Sequence, residues 1–259
     1  VAKTRLTETM DTIRFAEQLI KSSDAWREQA LAFVETRLKE AEEVLRAKPQ
    51  DFAGGNTVDT YRRWLGERYT LYGKTQEALN MEQLRFQANP DIRTYHSVRS
   101  AAQLAGQPEE LWPSLRPGLI QTLEQQRRWG ALVSIYLEEG EVGQALSALT
   151  EMERSSDASS YGYGYGTYSS RSEYQVQVAK AAEVQYPDEA IRLYKSAVQR
   201  LIDLRGRENY QQATGHLTRV KLLYQKQERE PEWNGYITNL RNSNKSLRAL
   251  KEELDKRGM

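Results

Sequence analysis

The chain of 259 residues contains no cysteine. Disulfide crosslinks, thiolate metal sites and cysteine nucleophiles are therefore excluded. Histidine is nearly as scarce, with only His96 and His216 present. A metal site needs several convergent ligands, so no bound metal and no cofactor are expected. No apolar run approaches the roughly 18 residues that a membrane span requires. A basic segment followed by an apolar one, the mark of a secretory leader, is also missing. The chain starts at Val1 rather than at methionine, as a processed or fragmentary chain would, and a cytoplasmic location is the expectation. Neither a Gly-x-Ser-x-Gly elbow nor a phosphate-binding glycine loop occurs, and the carboxylates are scattered as on solvated helix faces. Together these absences point away from an enzyme.

What is present is helical spacing. Extended alternating runs are absent, whereas apolar residues recur every three or four positions. Trp26, Ala30, Phe33, Leu38, Ala41 and Leu45 trace one face of a long helix, with Ser23 and Asp24 at its N-cap and Pro49 beyond its end. An earlier helix is predicted over Thr7 to Ser22. Residues 49–56, with Gly54 and Gly55, read as a connection.

The middle of the chain repeats itself. Trp129-x2-Leu132-x3-Tyr136-x3-Gly140-x4-Ala145 is the clearest unit. Leu65-Gly66-x2-Tyr69-x3-Gly73-x4-Ala78 follows the same template and closes on Pro90. Between them lies Tyr95-x2-Val98-x3-Ala102-x3-Gly106. The turn glycines Gly73, Gly106 and Gly140 keep nearly equal spacing, close to a period of about 34. A further second helix, Ala190-x3-Tyr194-x2-Ala197, follows Pro187-Asp188. Residues 155–170, rich in Ser, Tyr and Gly, interrupt the phase. A last pair, Glu208 to Lys226 and Pro231 to Lys256, caps the array, with Pro231 placed to start a helix. Glu82 and Arg85 occupy places where the template has bulk and alanine, so the repeats are degenerate.

These units resemble the tetratricopeptide repeat, whose fold is a right-handed α–α superhelix of stacked antiparallel helix pairs. The resemblance implies an all-α solenoid with four parts: an N-terminal helical pair over 1–56, degenerate repeats over 57–154, a Ser/Tyr/Gly-rich loop over 155–170, and C-terminal helical repeats with capping helices over 171–259. One helix pair cannot bury its apolar stripe alone, but stacked pairs bury a continuous core beside a concave groove. From Trp129 onward the chain also resembles the helical region of bacterial SWIM zinc-finger proteins. That likeness rests on Leu132 through Gly140, Tyr186-Pro187-Asp188-Glu189-Ala190 and the ending Leu247 to Lys256. The family carries its Cys-x-Cys and Cys-x-His finger ahead of this region, and without cysteine the finger has no counterpart here.

The tetratricopeptide resemblance implies that first helices line the groove. In that register Arg63, Glu67, Arg93, His96, Ser100, Arg127 and Ser134 face inward. Arg63, Arg93 and Arg127, one per repeat, form a basic ladder suited to an acidic peptide segment, because arginine offers a two-pronged fork to carboxylates. Tyr161, Tyr163, Tyr165 and Tyr168 alternate with glycine and are candidates for stacking on a partner. Charge is uneven, since residues 190–259 carry 15 Lys/Arg against 8 Asp/Glu within a chain whose net charge is only +1. Two functions follow: a non-catalytic scaffold for protein–protein interaction or, alternatively, a nucleic-acid-associated protein using the basic C-terminal helices. Leu240, Leu247 and Leu254 recur every seven residues, too briefly for a coiled coil.

Overall fold

The computed structural model describes residues 2–106, 108–157 and 165–259. Among them no strand occurs, and the regular elements are helices. The chain divides into two compact units, Val1–Arg128 and Trp129–Met259.

The first unit opens with α1 (Ala2–Ser22), a 3-10 turn (Asp24–Trp26) and α2 (Arg27–Ala47). The Ser23 hydroxyl accepts the Ala25 N–H at 3.2 Å and so caps the 3-10 turn rather than the long helix, which starts after Trp26 without a side-chain cap. α3 (Phe52–Leu71), α4 (Thr75–Ala88), α5 (Ile92–Leu104) and α6 (Pro108–Gln125) follow. α1, α2 and α3 pack on one another, and from α3 onward each helix packs on the next. Residues 49–56 are not wholly a connection, because Gly54 and Gly55 lie in the first turn of α3. Asp51 caps that helix by accepting the Gly54 N–H at 3.1 Å. The cap supplies what the glycines lack in helix propensity.

The core of this unit joins Ala16 on α1, Leu31 and Val34 on α2, and Val58, Trp64 and Leu65 on α3. The glycines predicted to turn the chain do so. Gly73, Gly106 and Gly140 have φ of 72°, 86° and 74°, left-handed values that side chains resist. At Gly73 the Lys74 N–H reaches the Tyr69 carbonyl at 2.8 Å while the Gly73 N–H reaches Thr70, which closes the helix as a Schellman motif. Leu65, Val98 and Leu132 hold equivalent places ahead of these glycines, and each is fully buried.

The second unit comprises α7 (Trp129–Glu138), α8 (Val142–Asp157), α9 (Tyr165–Ala182), α10 (Pro187–Leu204), α11 (Arg207–Lys226), α12 (Glu230–Ser243) and α13 (Arg248–Lys256). α7, α8 and α9 pack together, α10 bridges α9 and α11, and α11 carries α12 and α13. Ala190, Tyr194 and Ala197 are buried on α10, so that predicted second helix faces the core. Two expectations change. The segment over 155–170 is helical at both described ends, because α8 runs to Asp157 and α9 begins at Tyr165. The stretch Pro231 to Lys256 is two helices, not one. It breaks across Asn244 to Leu247, where the Asn244 side chain and backbone N–H both donate to the Leu240 carbonyl, at 2.9 and 3.2 Å. Leu240 and Leu254 therefore stand on different helices.

Candidate binding surfaces

Arg63 is exposed on α3, with Glu67 one turn further along. Arg93 is exposed in the first turn of α5 and donates to Asp91 at 3.1 Å. Asp91 is itself the N-cap of α5 and accepts the Thr94 N–H at 2.8 Å. Partial burial opposes its charge, but the hydrogen bonds from Thr94 and Arg93 outweigh burial and hold its carboxyl below the usual range. His96 is half-buried on α5, its ring 6.0 Å from that of Tyr95. Ser100 is exposed on the same helix, while Ser134 on α7 donates back to the Gly130 carbonyl.

Arg127 departs from its predicted place. It lies after α6 in a left-handed conformation, φ 53°, and closes that helix through the bond from the Arg128 N–H to the Leu123 carbonyl at 2.8 Å. The following helix starts only at Trp129. The expected row of three arginines on successive first helices is thus not formed. Position 127 answers the need of a helix end for a left-handed residue, which here is arginine where Gly73, Gly106 and Gly140 serve the predicted turns.

Tyr161 and Tyr163 lie outside the described residues. Tyr165 and Tyr168 belong to the first turns of α9 rather than to a loop.

Several cations of the basic C-terminal region are paired with carboxylates. Arg207 pairs with Glu252 at 2.6 Å, Lys256 with Glu253 at 2.7 Å, and Arg229 with Glu232 at 2.7 Å and with Asp188. Arg241 pairs with Asp255. Lys195 on α10 donates to the Tyr224 hydroxyl at 2.7 Å and sits 4.2 Å from the centre of the Tyr236 ring. Burial pushes the Tyr236 phenol up to about 12, so it stays neutral beneath that ammonium. The pairs of Arg207, Arg241 and Arg229 with Glu252, Asp255 and Asp188, and the Lys195 contacts, tie separate helices together. Among the described residues no group of three His, Asp or Glu side chains converges as a metal site requires.

A further concavity lies in the first unit. A cleft of about 570 Å³ opens among α1, α2 and α3. Phe15, Phe33, Ala41, Val44 and Tyr61 supply its apolar lining, and Thr9, Thr12 and Thr57 its hydroxyls. Phe15 and Phe33 meet edge to face at 5.4 Å. Phe15 is nevertheless 49% exposed and Val44 43%, so the cleft leaves apolar surface in water. Among the described lining residues, Glu8, Asp11 and Glu40 stand with one base, Arg37. That guanidinium lies over Phe33 at 5.5 Å and donates to Glu40 at 2.8 Å. The cleft escaped the sequence reading because its residues come from three helices. The signal available was the row Phe33, Arg37, Glu40 and Val44 along one side of α2.

No protein-family model matches the chain. Over 70 residues it is 37% identical to the uncharacterized protein YwqB of Bacillus subtilis (strain 168), a stretch amounting to 27% of this chain and 13% of YwqB.

No helix among the described residues is long and apolar enough to cross a membrane.

Proposed function

We propose that this protein is a non-catalytic helical-repeat scaffold whose role is to bind another protein. The observation that carries this reading is the cleft among α1, α2 and α3, where aromatic and aliphatic side chains stay half in solvent although each helix has a packed core face. Exposed apolar surface in a concave setting is stabilised by a partner that removes it from water. The glycine-closed turns at Gly73, Gly106 and Gly140 support a tetratricopeptide-like course, a right-handed superhelix of antiparallel pairs. The resemblance of the second half to the helical region of SWIM zinc-finger proteins supports the same class.

The test is binding with purified components. The immobilised chain is exposed to host extract, and each retained protein is then titrated against it by calorimetry after nuclease treatment. A scaffold gives saturable, nuclease-resistant binding of a protein at defined stoichiometry. Retention that vanishes with nuclease, or the absence of any saturable protein complex, overturns the reading.

A further inference from the structure

We infer that the cleft among α1, α2 and α3 receives an amphipathic helix from a protein partner, with its apolar face on Phe15, Phe33 and Val44 and lysine or arginine along its flanks. This rests on the scaffold reading and names the class of partner.

The shape follows from what builds the walls. All three are helices, whose backbone groups are satisfied internally, so the cleft has no open edge to which a strand could add. Its threonine hydroxyls are also engaged within the chain: Thr9 and Thr57 share a hydrogen bond of 3.2 Å, and Thr12 donates to the Glu8 carbonyl at 2.9 Å. An occupant must therefore bring satisfied backbone of its own and offer side chains to an apolar floor. A fourth helix laid against three meets both conditions, with its ridges entering the groove between its neighbours.

The charge of the occupant follows from the margin. Among the described lining residues three carboxylates face one guanidinium. Arg37 is already matched by Glu40 and held over the Phe33 ring. Glu8 and Asp11 remain one helical turn apart on the α1 side. Asp11 meets only Arg14, at 3.0 Å, in a pair whose two side chains are both mostly exposed. Such a pair is weak and exchanges readily. An acidic helix would meet repulsion there, whereas a basic one gains both attraction and faster encounter.

The experiment uses the whole chain as bait for a displayed library of helical peptides of about four turns. The apolar face is fixed and the flanking positions are randomised. The expected result is enrichment of lysine and arginine at the flanks. Selected peptides should then bind Phe15→Ser or Val44→Ser at least about tenfold more weakly. The double change Glu8→Lys and Asp11→Lys should redirect selection toward acidic flanks. Circular dichroism and thermal melting establish that each variant is folded, and Val44 and the two carboxylates are exposed enough to change without loss of core. Selection of acidic flanks by the unaltered chain overturns the proposal, as does selection of no helix above background. Peptides indifferent to Phe15→Ser and Val44→Ser likewise place binding outside the cleft. In these cases a saturable protein complex found by calorimetry still upholds the scaffold reading, so the two failures are separable.

Discussion

Arg85 donates to Glu82 at 2.8 Å across one turn of α4, and both side chains are almost wholly withdrawn from water. The guanidinium also reaches Asp59 on α3 at 2.9 Å. Burial raises the Glu82 pKa, and the adjoining Arg85 only partly restores its charged form. Two residues that break the repeat template thus satisfy one another. Gly66 leaves room for them, since a Cβ there would lie 2.9 Å from a carboxylate oxygen of Glu82. We predict that Arg85→Met destabilises the first unit by about 3 kcal/mol, because it strands a buried carboxylate. Arg85→Met combined with Glu82→Leu should cost less than Arg85→Met alone. Urea denaturation of the four members of this cycle measures the coupling.

The Trp64 indole donates to Glu17 at 2.7 Å, and Arg68, lying over the same ring, donates to the same oxygen. One carboxylate thereby ties α1 to α3. Glu17→Ala should cost about 1–3 kcal/mol by leaving half-buried donors unmatched. Glu17→Gln keeps an acceptor and should cost less. Denaturation followed by tryptophan fluorescence compares the two variants.

Left-handed helix ends make a third expectation. Arg127 and Glu228 have φ of 53° and 56°, in turns closed like those at Gly73 and Gly140. Arg127→Gly and Glu228→Gly should each stabilise the protein by about 1 kcal/mol, and Gly140→Ala should destabilise it by a similar amount. Thermal melts report the opposite signs.

His216 on α11 stacks on Tyr194, with ring centroids 5.6 Å apart and planes 25° apart. Burial holds its pKa below the ordinary value of 6.5. As pH falls, the unfolded imidazole takes up its proton first. Stability is therefore full above about pH 6.5 and declines as the pH drops toward the depressed folded value. His216→Phe keeps a ring on Tyr194 and cannot protonate. Relative to that variant, the unaltered protein should lose stability on acidification, and equal pH dependence of the two would remove His216 as the cause.

Much of the fold is legible locally. A left-handed turn selects glycine wherever it lies, so Gly73, Gly106 and Gly140 reveal helix ends without any knowledge of neighbours. Ser23 and Pro187 mark the starts of the 3-10 turn and of α10 for equally local reasons. Arg127 misled because a turn of the same geometry is filled there by a residue that also suits an exposed helix face. The division of the last segment into α12 and α13 was hidden because Asn244 and its polar neighbours are tolerated within helices as well as at their ends.

The candidate cleft belongs to the other category. Helix spacing alone established an all-α chain, the absence of cysteine excluded thiolate chemistry, and the equal spacing of glycines announced repeated pairs. Each of these depends on a residue and its near neighbours. The meeting of Phe15, Phe33, Val44 and Tyr61 depends on how α1, α2 and α3 cross, and so does the imbalance of acids at their margin. Periodicity states which residues share a face of one helix, whereas packing in three dimensions decides which faces of different helices border the same space.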